Sequence, residues 1–444
     1  MRTSEATSLR RVAAACLVGS AIEFYDFLIY GTAAALVFPT VFFPDLSPTL
    51  ATVASMGTFA SAFVARPIGG ATFGYLGDRL GRKRTLIATL LIMAFATISV
   101  GLVPSTASIG TAAPLILIAL RLVQGFAAGG EWAGSVLLSA EYAPAGKRGR
   151  YGMFTLLGGG TATILTCLTF LGVNVSIGES SLAFMQWGWR IPFLISAVLI
   201  GIALYVRLRI DETPVFVEEQ NRNLVPEAPI AELLRLQRRE IVLAGGSILS
   251  GMCFVYMGNT FMPLYAHSHL GYSRTFIWSV GAAGGVASLT FVAVSAVLSD
   301  RVGRRRMMLC GWAGCVTWSF VVIPLLDTGK PILYGVAIVG MFGITAIGSG
   351  PTGAFIPELF ATRYRYSGSA LAVNLAGILG GALPPLLAGT LQATYGSWAI
   401  GPLLTVMALA SFACTYLLPE TRGTELRSPY TAAPAEFELS DDAA

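Results

Sequence analysis

Runs of about 20 or more mostly apolar residues, long enough to cross the hydrocarbon of a bilayer, recur twelve times along the chain. They fall near 12–38, 50–76, 85–104, 112–140, 152–172 and 188–208, and again near 240–266, 274–297, 306–326, 332–356, 366–389 and 395–417. A charged, proline-containing stretch, 209–239, separates the first six from the second six. The pattern predicts an all-α membrane protein of twelve transmembrane helices, with six-helix units over 1–208 and 240–418, a linker over 209–239 and a disordered tail over 419–444. The end of the linker, PIAELLRLQRRE, places apolar residues at 230, 233, 234 and 236. That spacing predicts a short amphipathic helix on the membrane surface.

Composition agrees. The chain is 55% hydrophobic and 12% charged, with a mean hydropathy of +0.70, which excludes a soluble enzyme or a nucleic-acid-binding protein. The six cysteines lie in apolar segments without metal-ligand spacing, and His267 and His269 flank a helix end without partners for catalysis or zinc. The run after Arg10 and Arg11 is too long for a signal peptide and is read as a retained first span.

Basic residues set the orientation. They crowd the N-terminus, the loops after spans two, four, eight and ten, the linker with its six arginines from Arg207 to Arg239, and the tail, whereas the opposite loops hold only Arg274 and Lys330, with Arg190 at the mouth of span six. This asymmetry puts both termini in the cytoplasm.

The loop after span two, GYLGDRLGRKR (Gly74–Arg84), returns after span eight as AVLSDRVGRRR (Ala296–Arg306). AEYAPAGKRGRYG (140–152), after span four, is echoed by PELFATRYRYSG (357–368), after span ten. The halves are therefore same-direction repeats, an arrangement that holds ligand near the midplane between bodies that rock against each other. Asp78 with Arg79 and Arg82, and Asp300 with Arg301 and Arg304, are placed to form charge pairs across the cytoplasmic face, while Gly81 and Gly303 allow tight reversals. Glu141 and Glu358, at the cytoplasmic ends of spans four and ten, are assigned to the same gate through loop arginines.

The sequence resembles the major facilitator superfamily, and most closely its metabolite–proton symporters, which carry α-ketoglutarate, citrate, shikimate and other carboxylates, or proline and betaine. The resemblance rests on IEFYDFLIYG in span one, ARPIGGATFGYLGDRLGRKRTL in span two, RLVQGFAAGGEWAGSVLLSAEYAP in span four, WGWRIPFL at span six, DETPVF after it, and PELF with RYSG before span eleven. It covers nearly the whole chain. The long coiled-coil C-terminus of the osmosensing proline/betaine carriers is absent, which speaks against an osmosensor.

Glu23 and Asp26 interrupt span one, and charge at the bilayer centre costs at least about 2.5–3.5 kcal/mol on insertion scales. At 1.5 Å per residue they stand roughly 16 and 21 Å above the cytoplasmic start, Arg66 stands about 18 Å above Asp78, and Arg121 lies about 13 Å below the outer surface. All four share the middle third of the membrane, where two acids and two bases can neutralise each other. Glu23 and Asp26 share a helix face that Tyr30 continues, and the resemblance implies that spans one, four, seven and ten line the cavity. A carboxylate paired there stays ionised, and one left unpaired and desolvated takes a proton. Asp26, with Glu23, is the expected proton carrier. Arg121 is expected to pair with Asp26 or with an anionic substrate, with Gln124 adding a hydrogen bond; the resemblance also implicates Arg121 in proton coupling. Arg66 is a second anion ligand or a tie to a neighbouring span. Glu131, roughly 15 Å below Arg121, is a relay acid or a packing partner. In the second half Tyr256, Asn259 and Asn374 are neutral hydrogen-bonding candidates for the substrate, as Tyr30 and Gln124 are in the first, and Tyr265 is a further one, since no charge sits deep in spans seven to twelve. Glycines 125, 129, 130 and 134, and 377, 380 and 381, allow close helix approach.

The function expected is a proton-coupled symporter, a monomer in a bacterial cytoplasmic membrane, importing a small organic anion by alternating access. It needs no cofactor, metal or catalytic group, the proton gradient being the drive. The alternatives are an exporter that exchanges solute for protons, and a non-transporting sensor built on the same fold.

Overall fold

The computed structural model describes residues 2–80, 82–144, 146–178, 181–208, 230–361 and 364–423, with side chains for all of these except 2–11, 77–80, 82, 141, 230 and 231. All regular structure among the described residues is helical. Twelve helices are long and apolar enough to cross a membrane. In order, these spans are Val12–Leu36, Pro48–Leu76, Lys83–Leu102, Ala112–Ala140, Arg148–Ile177 and Gly188–Leu208, then Arg238–Ser268, Arg274–Val302, Arg304–Asp327, Pro331–Glu358, Arg365–Tyr395 and Ser397–Leu417. Each expected span is present. A short helix, Ile230–Leu236, leads into span seven, with Leu233 buried in the core while Leu234 and Leu236 stay exposed. The linker over 209–229, the DETPVF motif within it and the tail over 424–444 lie outside the described residues.

Four spans are interrupted. Span four breaks between Ala128 and Glu131, at Gly129 and Gly130. Span seven is three consecutive helices with joints at Ile248 and Thr260. Span ten breaks after Ser349. Span eleven contains a π-helical turn, Gly377–Ala382. In a membrane such interruptions are tolerated only where protein or a water-filled cavity surrounds them, and π turns concentrate at functional positions.

The glycines act where backbones meet. A Cβ on Gly125 would run into the carbonyl of Ala62, and one on Gly129 into that of Arg66, so spans two and four cross in direct backbone contact. That crossing brings Arg66 and Arg121 close together. Two seams join the six-helix sets. Span five lies along span eight, with Gly160 against Leu289 and Gly285 against Ile164, and its first turns meet span ten, where Gly152 lies against Gly353. Span eleven lies along spans two and four, where Asn374 Nδ2 donates to the carbonyls of Arg66 (3.3 Å) and Gly129 (3.1 Å), and the Tyr366 hydroxyl donates to that of Gly130 (2.6 Å).

The arginine-rich end is laced together by carboxylates. Asp300 accepts from the backbone N–H of Gly149 (2.9 Å) and Arg150 (3.0 Å), capping the start of span five from span eight; an acid there also complements the helix dipole. Asp300 pairs with Arg304 at 2.7 Å, and Arg304 reaches Glu358 at 3.1 Å, with Arg148 3.9 Å from the same carboxylate. Arg301 is exposed. Residues 419–423, which the sequence reading gave to the tail, are held instead. Glu420 accepts from the N–H groups of Arg304 (2.8 Å) and Arg305 (3.2 Å) at the start of span nine, and Thr421 donates to Glu358 (2.7 Å). Gly303, at φ +115°, makes the reversal that exposes those donors. Of the other gate residues, the side chains of Asp78, Arg79, Arg82 and Glu141 lie outside the described residues.

Candidate functional site

Span one carries Glu23 and Asp26 into the interior, both essentially without solvent exposure, and Arg66 and Arg121 are equally buried. These four, expected at one depth, lie together in the structure, with Arg66 and Arg121 on the Phe27 ring of the same span. The structure does not pair them. Among the described residues no ion pair joins either acid to either arginine; the buried pairs are Glu131–Arg207 and Arg304 with Asp300 and Glu358.

Asp26 is satisfied by hydroxyls. Ser196 of span six donates to Oδ1 (2.7 Å) and Thr97 of span three to Oδ2 (3.0 Å). Thr97 in turn accepts from Gln124 Nε2 (2.9 Å), and Gln124 Oε1 accepts from Arg121 Nη1. The expected contact between Arg121 and Asp26 is therefore relayed through Gln124 and Thr97. Arg121 also donates to the Phe59 carbonyl (3.2 Å), and its guanidinium lies over the rings of Tyr30 (4.1 Å) and Phe27 (4.6 Å). Tyr30 is thus the platform for Arg121, fixed by its own hydroxyl donating to Thr58 (2.7 Å).

Arg66 stands 4.1 Å over Phe27 and 4.7 Å over Phe63. Cation–π contact of this kind holds a guanidinium without neutralising it. Phe27 is common to both arginines, so two like charges share one aromatic support. Tyr256 of span seven packs edge-on against Phe63 (5.3 Å) and Phe59 (5.7 Å). The π turn of span eleven closes the same region, since a Cβ on Gly377 would meet Arg66 Nη1 at 3.6 Å and one on Gly381 would press on Phe63 and Tyr256.

Glu131 opens the second segment of span four and pairs with Arg207 at the end of span six, where Arg207 also donates to the Leu86 carbonyl (2.6 Å). Asn259 donates to its own helix, at the Val255 carbonyl (2.8 Å). Tyr265 donates to Asp327, away from the centre. Asn374 serves the span-eleven seam described above.

A cleft lies between spans one, four and five and spans seven, eight and ten; Phe24, Trp132, Thr163, Tyr256 and Thr345 are among its walls. The charged side chains are not in its lining; Tyr256 belongs to both. Thr97, Ser196, Phe27, Phe59, Phe63 and Arg207 were not expected from the sequence. A lone hydroxyl in an apolar helix usually bonds its own backbone, so nothing marked Thr97 or Ser196, and Arg207 was counted among the linker arginines.

A twelve-helix bundle of two six-helix sets, with charged side chains buried within the first set and a cleft between the two, is the layout of a membrane solute carrier. The major facilitator superfamily model matches residues 20–374, and the chain belongs to that family. The inner membrane metabolite transport protein YhjE of Escherichia coli K12 is 40% identical, covering 94% of this chain and 96% of the relative. The shikimate transporter of the same organism is 34% identical over 88% of this chain and 89% of its own. Among solved structures, the proton:xylose symporter XylE bound to 6-bromo-6-deoxy-D-glucose superposes with a TM-score of 0.76, at 19% identity, over 95% of this chain and 98% of that one. The protein is a multi-pass membrane transporter and not an enzyme.

Proposed function

We propose that this chain imports a small carboxylate metabolite together with protons by alternating access, its arginine-rich end and both termini facing the cytoplasm. The observation that carries the reading is that Arg66 and Arg121 are buried at the centre and, among the described residues, no carboxylate forms an ion pair with either. Two such charges attract an anion strongly where the dielectric is low. The names of the relatives, a metabolite carrier and a shikimate carrier, and the proton coupling named for XylE, support the same direction.

Asp26 is the proposed proton carrier. With both acids ionised, Glu23 and Asp26 balance Arg66 and Arg121. A proton on Asp26 removes one negative charge, and an incoming carboxylate restores neutrality, so proton and substrate favour each other's binding. The protonated acid also donates to Thr97 rather than accepting from it. That reversal is felt at Gln124 and hence at Arg121, through bonds already in place. Units 1–208 and 240–418 would then rock along the two seams, releasing and re-forming the Asp300 cap on span five.

In proteoliposomes of known orientation, a gradient acid on the side opposite the arginine-rich loops should drive accumulation of a labelled carboxylate. Efflux from preloaded vesicles under that same gradient, with no accumulation, would favour the exporter reading instead.

A further inference from the structure

The polar groups at the centre divide into two sets. Asp26 and Arg121 are tied into the first six spans through Ser196, Thr97, Gln124 and the Phe59 carbonyl, and only Arg121 Nε lacks a partner. The second set is Glu23, Arg66 and Tyr256, from spans one, two and seven. Glu23 Oε2, Arg66 Nε and the Tyr256 hydroxyl are buried with no hydrogen-bond partner, and the three residues are only 3%, 5% and 1% exposed. Arg66 and Tyr256 pack on the same ring, Phe63 (4.7 and 5.3 Å), under the π turn of span eleven, and Glu23 lies within electrostatic reach of Arg66. The set crosses from one six-helix unit to the other and reaches the cleft through Tyr256.

Orphaned buried polar atoms are costly, and here their chemistry is complementary to a ligand. A guanidinium without a carboxylate asks for an anion. A carboxylate without a donor asks for an N–H or O–H. The rings offer no third option, because Phe27 and Phe63 already support Arg66, and Phe27, Tyr30 and Phe59 surround Arg121. A fully methylated ammonium, which binds through aromatic faces, would have to displace a guanidinium.

We infer that the transported solute is a small acid carrying a hydrogen-bond donor, a hydroxyl or an ammonium, close to its carboxylate, with Arg66 holding the carboxylate, Glu23 accepting from the donor and Tyr256 closing the site from the opposite unit. The inference rests on the carboxylate reading above and adds the donor.

The test is thermal stabilisation of the purified full chain by matched acids. One series is propionate, 2-hydroxypropionate, alanine and N,N,N-trimethylalanine; the other is cyclohexanecarboxylate and its 3-hydroxy derivative. Donor-bearing members should act at concentrations at least about tenfold lower than the plain or trimethylated ones, as expected for a hydrogen bond to a charged group. Glu23→Leu should abolish that preference, so that plain and donor-bearing acids act at the same concentration whatever the change in carboxylate affinity common to both. Glu23→Gln separates the two donors, sparing a hydroxy acid and weakening an amino acid. Tyr256→Phe should weaken every donor-bearing member, and Arg66→Gln should remove the response to all carboxylates. Equal responses to plain and donor-bearing acids, or a preference that survives Glu23→Leu, would overturn the inference and leave the carboxylate reading standing. Failure of every acid in both series would sink the two together.

Discussion

Asp26→Asn should reduce pH-gradient-driven uptake in proteoliposomes to the level of empty liposomes, while exchange of labelled for unlabelled solute at equal pH persists. Asparagine keeps nearly the shape of aspartate, and its oxygen can still accept from Thr97 or Ser196, so the network around Arg121 has a means of surviving. What it cannot do is bind and release a proton. Exchange needs only the loaded carrier to reorient, whereas accumulation needs the proton. Loss of both activities together would mark Asp26 as a structural acid. Retention of gradient-driven uptake would remove it from coupling altogether.

The largest stability effect is expected away from the substrate. Glu131→Ala leaves Arg207 buried without its counter-charge, beside Gly19 and the Leu86 carbonyl. Removing one partner of a buried ion pair costs about 3–5 kcal/mol, because the survivor keeps its desolvation penalty. Glu131→Gln should cost less, since an amide oxygen still accepts from the guanidinium. The double variant Glu131→Ala/Arg207→Met should recover most of the loss, as no charge is left stranded. Equilibrium unfolding in detergent measures all three. If the single and double variants lose the same stability, the pair contributes packing rather than charge balance.

Much of this was legible in the sequence, for identifiable reasons. Hydropathy marks each span because a bilayer tolerates almost nothing but an apolar helix of sufficient length. The Asp300 and Arg304 cluster was visible because the repeat placed it. The common depth of Glu23, Asp26, Arg66 and Arg121 followed from a fixed rise per residue. The partners were not legible. Depth fixes height along a helix axis, but a single residue turns the side chain by about 100°, and which helices are neighbours decides what it meets. Asp26 therefore finds Thr97 and Ser196, from spans three and six, rather than Arg121. Asn374, read as a substrate contact, ties span eleven to the backbones of spans two and four because Gly70 and Gly129 bring those chains within reach. Arg207 looked like one more linker base until the end of span six turned it inward onto Glu131.

Symport requires that solute and proton cross together in the same direction. Vesicles containing the wild-type chain and an internal pH indicator, started at equal pH inside and out, should acidify when a hydroxy or amino acid substrate is added outside. A protonophore should short-circuit the signal, and Asp26→Asn should abolish it. Alkalinisation of the lumen on adding substrate, or transport of the acid with no accompanying proton signal, would contradict symport.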